Sequence, residues 1–176
     1  MAAKTGTYTL INSTTLTTST ASVTFSSIPT TYTDLVLVMN CWQPSSTGEL
    51  QIQFNSDTGS NYSYTRVEAN HNGVESLRSS NNTKIFVGAL STSSYPTVSI
   101  VNIQDYANTS TYKTALVRQN CPYTTTAFPT NAGAVVGLWR STSAITSIVI
   151  DQFNSGSGNF DTGSTFKLYG IEAGNL

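Results

Sequence analysis

Side chains able to do acid, base or metal chemistry are few in this chain and widely separated. The single histidine, His71, stands in the polar stretch Asn70-His71-Asn72-Gly73. A hydrolytic triad needs a base held by a carboxylate beside a nucleophile, and no Gly-x-Ser-x-Gly elbow supplies one. His71 reads as a turn residue. Cys41, Cys121 and His71 cannot close a zinc site, and neither Cys-x-x-Cys nor His-x-x-x-His spacing occurs. The carboxylates are Asp34, Glu49, Asp57, Glu68, Glu75, Asp105, Asp151, Asp161 and Glu172. A glycosidase needs only two that face each other, but most of these stand in turn-like contexts. Asp57 and Asp161 could hold calcium with loop carbonyls, although the helix-loop pattern of the common calcium motif is missing. The residues therefore predict no catalytic group, no cofactor and no metal site.

Aromatic residues offer a different chemistry, that of contact. Tyr62, Tyr64 and Arg66 alternate along one run and share one face, while Trp42 and Trp139 are the only indoles. Exposed Tyr and Trp can stack on sugar rings or anchor a protein interface. Trp139 lies in an apolar run and reads as core. Tyr62, Tyr64, Arg66 and Trp42 are the candidate interface residues, with packing or subunit contact favoured over sugar binding for the two tyrosines.

The elements that must position these residues are strands. About three residues in ten are Ser or Thr, and only 10% are charged, against about a quarter in an ordinary domain. Thr, Val, Ile, Tyr and Phe suit a pleated, half-buried surface, and strong helix formers are sparse. Strand-like runs recur at Tyr8–Ile11, Ala21–Phe25, Leu35–Met39, Leu50–Asn55, Tyr62–Arg66, Ile85–Ala89, Val98–Ile103, Ala115–Val117, Val135–Trp139, Ile145–Ile150 and Phe166–Ile171, with Leu35–Met39 and Val98–Ile103 apolar on both faces. The alternation slips within Val98–Ile103, which suggests a bulge. Val135–Trp139 and Ile145–Ile150 look like adjacent strands. Ser13–Thr20 reads as a loop or edge. The expectation is one all-β domain over residues 1–176, an antiparallel jelly-roll-like β-sandwich of about nine to eleven strands.

With 176 residues the chain can bury a core without disulfides. The net charge of −1 and pI of about 5.7 offer no basic patch for nucleic acid, and little electrostatic protection against self-association. No apolar run is as long as a membrane helix. The opening residues lack an apolar signal region, so folding in a cytosol is expected, with Cys41 and Cys121 as free thiols.

Several segments resemble a family of tailed-bacteriophage virion proteins. They are Thr7-Tyr8-Thr9-Leu10-Ile11, Ala21 to Pro29, Tyr32-Thr33-Asp34-Leu35, Phe54 to Tyr64, Asp105 to Thr109, Tyr112-Lys113-Thr114, Ile145-Thr146-Ser147-Ile148 and Asn159 to Ile171. The resemblance spans nearly the whole chain and is weakest over Glu68 to Tyr95. It implies a non-enzymatic virion structural protein, and brings no catalytic residue with it. The role expected is a capsid decoration or cement protein on the outer surface of the head. It would be made in the host cytoplasm, partnered by the major capsid protein and by itself as a homotrimer. The alternative is a tail-fibre or receptor-binding domain recognising host glycans.

Overall fold

Alternating apolar residues carry most of the chain into extended backbone. The computed structural model describes residues 7–44, 48–70, 73–92, 95–125, 128–153 and 158–172. These form twelve strands and no helix: β1 (Tyr8–Thr15), β2 (Ser22–Phe25), β3 (Asp34–Cys41), β4 (Gly48–Phe54), β5 (Tyr62–Asn70), β6 (Gly73–Asn82), β7 (Ile85–Leu90), β8 (Thr97–Gln104), β9 (Lys113–Thr125), β10 (Phe128–Trp139), β11 (Ile148–Phe153) and β12 (Thr165–Ile171). All the pairings are antiparallel.

Eight strands are folded as one long hairpin. β1 lies beside β12, β2 beside β11, β3 beside β8 and β4 beside β7, and these pairs go alternately to two sheets, β1-β12-β3-β8 and β2-β11-β4-β7. This is the jelly-roll connectivity. Two further hairpins are inserted, β5–β6 between β4 and β7, and β9–β10 between β8 and β11. They extend the first sheet to the order β1-β12-β3-β8-β9-β10-β5-β6. The extension passes over β7, which packs on β9, β10 and β5. An edge strand of the small sheet is thereby covered rather than left as a template for aggregation.

The core fills the space between the sheets. Leu35, Leu37 and Met39 of β3 face Leu50, Ile52 and Phe54 of β4, Ile148 and Ile150 of β11, and Phe166 and Leu168 of β12 within one continuous apolar cluster. Each such side chain contributes about 1.5–3 kcal/mol on burial. Where the layers approach most closely, glycine replaces bulk. A Cβ on Gly137 of β10 would stand 2.5 Å from Ile85 Cγ2 on β7.

Twelve strands exceed the expected nine to eleven, and the extra one is β6. Its residues are exposed almost throughout, because it overhangs beyond the small sheet and pairs only with β5. Without a buried face it carries no alternation to detect. Two further expectations are corrected. β10 and β11 belong to different sheets; Ile145 lies in the crossing segment, where its N–H donates to Tyr106 O at 2.9 Å. β8 is unbroken in register with β3 and β9, and register shifts fall instead in β1 at Leu10/Asn12, in the β4–β7 pair at Leu50/Gln51, in the β5–β6 pair at Tyr62/Ser63 and in the β9–β10 pair at Pro129/Asn131. The Ser/Thr run begins on edge strand β1, as one of its two readings had it. His71 lies outside the described residues.

Cys41 and Cys121 are both buried and free. Cys41 pairs with Thr97 of β8, and β9 reaches Cys121 just beyond the Val98–Asn120 pair. β8 therefore separates the thiols by two strand spacings, about 9–10 Å, whereas a disulfide needs Cα atoms within about 7 Å. Burial pushes both thiols up, the neighbouring Cys121 adding to the effect at Cys41, while bonds to Thr97 and Ser91 oppose it at Cys121. Neither thiol should react with a thiol reagent in the native protein, and both should react in denaturant. Melting temperatures with and without reductant should coincide; a shift would place the two sulfurs within bonding reach.

Candidate interaction site

The four candidate interface residues do not form one patch. Tyr62 is fully buried. It pairs with Trp139 across β10, its ring stacked on the indole at 6.2 Å between centroids and 6.4 Å from Phe54. Its hydroxyl accepts from Phe54 N–H at 3.0 Å and donates to Phe54 O at 3.1 Å. A side chain so enclosed cannot present itself to a partner, so Tyr62 is corrected from interface anchor to core. Trp139 is core as expected.

Trp42 is half-buried, and its indole lies over Gly163. There φ is +89°, and a Cβ would stand 3.1 Å from the ring; glycine meets both demands. Trp42 O accepts from Asp161 N–H at 3.0 Å. This corner adjoins the Gly48 end of β4, and Tyr62 its Phe54 end, about 20 Å apart along seven residues.

The same separation removes the Asp57–Asp161 calcium site, since Asp57 belongs to the Phe54 end. Its carboxylate accepts from Trp139 Nε1 at 2.7 Å, Asn61 Nδ2 at 3.0 Å and Gly59 N–H at 2.8 Å. No group of three or more ligating side chains occurs among the described residues. The Trp139 bond holds the Asp57 carboxyl below the usual carboxylate range, with partial burial opposing and Asn61 and Gly59 assisting. A carboxyl depressed in the folded state stabilises above its unfolded pKa, about 3.9 for Asp, and loses that contribution as pH falls through the folded value. Asp57→Asn should therefore flatten the acid limb of stability below about pH 4. Urea midpoints measured from pH 2 to 6 check this, and an unchanged limb in the variant would refute it.

Tyr64 and Arg66 do come together. They follow Tyr62 on the inward face of β5, where the extended sheet overhangs β7. Tyr64 packs on Phe86 at 5.9 Å between centroids, and the Arg66 guanidinium lies 4.5 Å above the same ring. Arg66 also pairs with Glu49 at 3.6 Å and Glu68 at 3.4 Å. Gln119 Nε2 donates to Glu68 at 3.2 Å. Burial raises the Glu68 carboxyl; Arg66 pulls it down, while Glu49 and Glu75 push it up.

Beside this cluster a cleft of about 290 Å³ opens between the outer face of the small sheet and the β5–β6 hairpin. Glu49, Gln51, Tyr64, Asn82, Lys84 and Phe153 line it. Lys84 Nζ donates to Asp151 Oδ2 at 2.5 Å, whereas Asp151 Oδ1 is buried with no partner among the described residues. Phe153 is 63% exposed. An aromatic wall with flanking amides and a carboxylate suits a polar ligand with a ring face. Glu49 and Glu68, both tied to one arginine, form a positioning network around Phe86.

A second surface is larger. Among the described residues, no layer covers the outward face of the eight-stranded sheet. Tyr8, Leu10, Val67, Val74, Val98, Leu116 and Val136 are all exposed there, Leu116 and Val136 directly paired at 47% and 54%. The residue types missed in the sequence were of two kinds. Phe153 shares the outward parity of Val149 and Asp151 on β11, a signal legible in the alternation. Asn82, at the end of β6, and Lys84, in the turn after it, carry no such signal.

Compared with family models, curated proteins and solved structures, the chain has no match.

Proposed function

We propose that the chain is a non-enzymatic structural protein of a tailed-bacteriophage particle, a decoration or cement protein bound to the outer surface of the head. What supports this, beside the residue resemblance, is the uncovered face of the eight-stranded sheet. Contiguous exposed apolar residues on a soluble fold mark a site of association. Ser, Thr and Asn dominate the rest of the surface, and neutral groups are indifferent to salt screening, as a shell exposed to varied media requires. The partners proposed are the major capsid protein and two further copies of this chain, a closed trimer matching local threefold points of a shell. Edge strands β1 and β6 are open for the trimer contact. Mass spectrometry of purified particles should find the chain in hundreds of copies. Its absence, or a stable monomer at micromolar concentration, would count against the head position or the trimer respectively.

The cleft favours a second reading, a tail-fibre or receptor-binding domain for host glycans. Under that reading the chain appears in a few tens of copies at most. Glycan-array binding would then be lost in Tyr64→Ala and Phe153→Ala.

A further inference from the structure

We infer that the outward face of the eight-stranded sheet docks a protein surface that is apolar at its centre and carries carboxylates around it. This rests on the structural-subunit reading and adds both the contact face and the chemistry of its partner.

The charges of the described residues are strongly segregated. Arg66 and Lys84 are engaged in ion pairs. Lys113 is buried, its ammonium donating to Thr111 O at 2.7 Å and Thr142 O at 3.3 Å. Arg140 donates to Ser60 O and Asn81 Oδ1. The remaining cations, Arg78, Arg118 and Lys167, are exposed and make no hydrogen bond or ion pair within the described chain.

All three stand on one face. Register places Lys167 opposite Val38, Val38 opposite Ile100, and Ile100 opposite Arg118. Arg118 is opposite Ala134, and Ala134 opposite Val67. Arg78 is opposite Thr65, Thr65 opposite Val136, and Val136 opposite Leu116. The cations thus recur about every three strands, roughly 14–16 Å apart, with apolar residues between them. Of the strand residues on this face only Asp34 is acidic. It lies at the sheet end, with its carboxylate accepting from Asp105 N–H at 2.8 Å. A chain of net charge −1 therefore presents a cationic, apolar face whose one acidic strand residue, Asp34, stands at its end.

That pattern selects the occupant. A second copy laid face to face would bring like charges together, which costs binding. An acidic surface would neutralise them. Eight strands at about 4.8 Å spacing and about 20 Å in length present roughly 700 Å², close to the ~800 Å² each partner buries in a standard interface. The apolar centre sets residence time, and the cations set orientation and approach, so a seated subunit resists salt that would slow its arrival.

The test uses intact particles and the full chain. Zero-length carbodiimide coupling on purified particles should join Lys167 to an Asp or Glu of another protein. The double variant Arg118→Glu/Lys167→Glu, changed only at exposed positions, should keep the parent urea midpoint. It should rebind particles lacking the chain with affinity reduced on the order of a hundredfold. Glu75→Lys, a reversal off this face, should bind as the parent does. Unchanged rebinding by the double variant would overturn the docking face and leave the virion reading standing. Coupling of Lys167 to a second copy of the chain would overturn the partner. If the chain is absent from particles, the virion reading fails. Coupling in the cells that make the chain then decides the face: Lys167 joined to a carboxylate of another protein supports it, and Lys167 left unjoined overturns it.

Discussion

Replacing Tyr62 by alanine should lower stability by about 3–5 kcal/mol, the usual cost of deleting a buried aromatic side chain. The ring fills the space between Trp139 and Phe54, and β5 and β10 pin that space on both sides, so it has little freedom to collapse. Tyr62→Phe separates the two parts of the effect. It keeps the stacked ring and removes the hydroxyl that accepts from Phe54 N–H, whereas Phe54 O keeps its bond from Asp57 N–H at 2.9 Å. Leaving a buried backbone N–H without that acceptor costs about 1–3 kcal/mol. Urea unfolding followed by circular dichroism measures both variants. A surface anchor would behave otherwise: Tyr62→Ala would stay within about 0.5 kcal/mol of the parent and would weaken assembly alone. Near-parental stability in both variants would return Tyr62 to the surface.

The second large effect is expected at Gly137. A valine there must find room for a Cβ that would otherwise stand 2.5 Å from Ile85 Cγ2 and 2.9 Å from Ile85 Cδ1. Ile85 is fully buried and has nowhere to retreat, so β7 and β10 must separate. Overpacking of this kind costs about 1–3 kcal/mol. Ile85→Ala alone should cost about 2–5 kcal/mol through the cavity it leaves. Combined, the two changes exchange volume across one contact. The double variant should be more stable than the sum of the single losses by about 0.5–3 kcal/mol, the range measured for residues in contact. Additive losses would mean the two layers do not meet at this point.

Both predictions concern positions where the sequence shows the right parity and conceals the environment. Tyr62, Tyr64 and Arg66 share a face in the chain and in the fold. Yet the first is core, the second packs on Phe86, and the third bridges two carboxylates at a rim. That gradient follows from how far the inserted hairpins overhang β7, which no local spacing records. Trp42 and Tyr62 are both aromatic neighbours of turns, and only the register of β4 sets them at opposite ends. β6 was unreadable because a strand with neither face buried needs no hydrophobic period.

The amino-acid sequence by itself determined that this is a sheet protein, which residues of most strands point inward, and that ionisable chemistry is thinly supplied. Those follow from the period-two geometry of an extended chain and from composition, both local properties. The tertiary structure alone decided which strands are neighbours, that β10 and β11 lie in different sheets, and that β8 stands between the two thiols. It also gathered Lys167, Arg118 and Arg78, far apart in the chain, onto one uncovered face. Pairing between distant strands is chosen by the mutual fit of whole faces, and that quantity exists only once the layers are assembled.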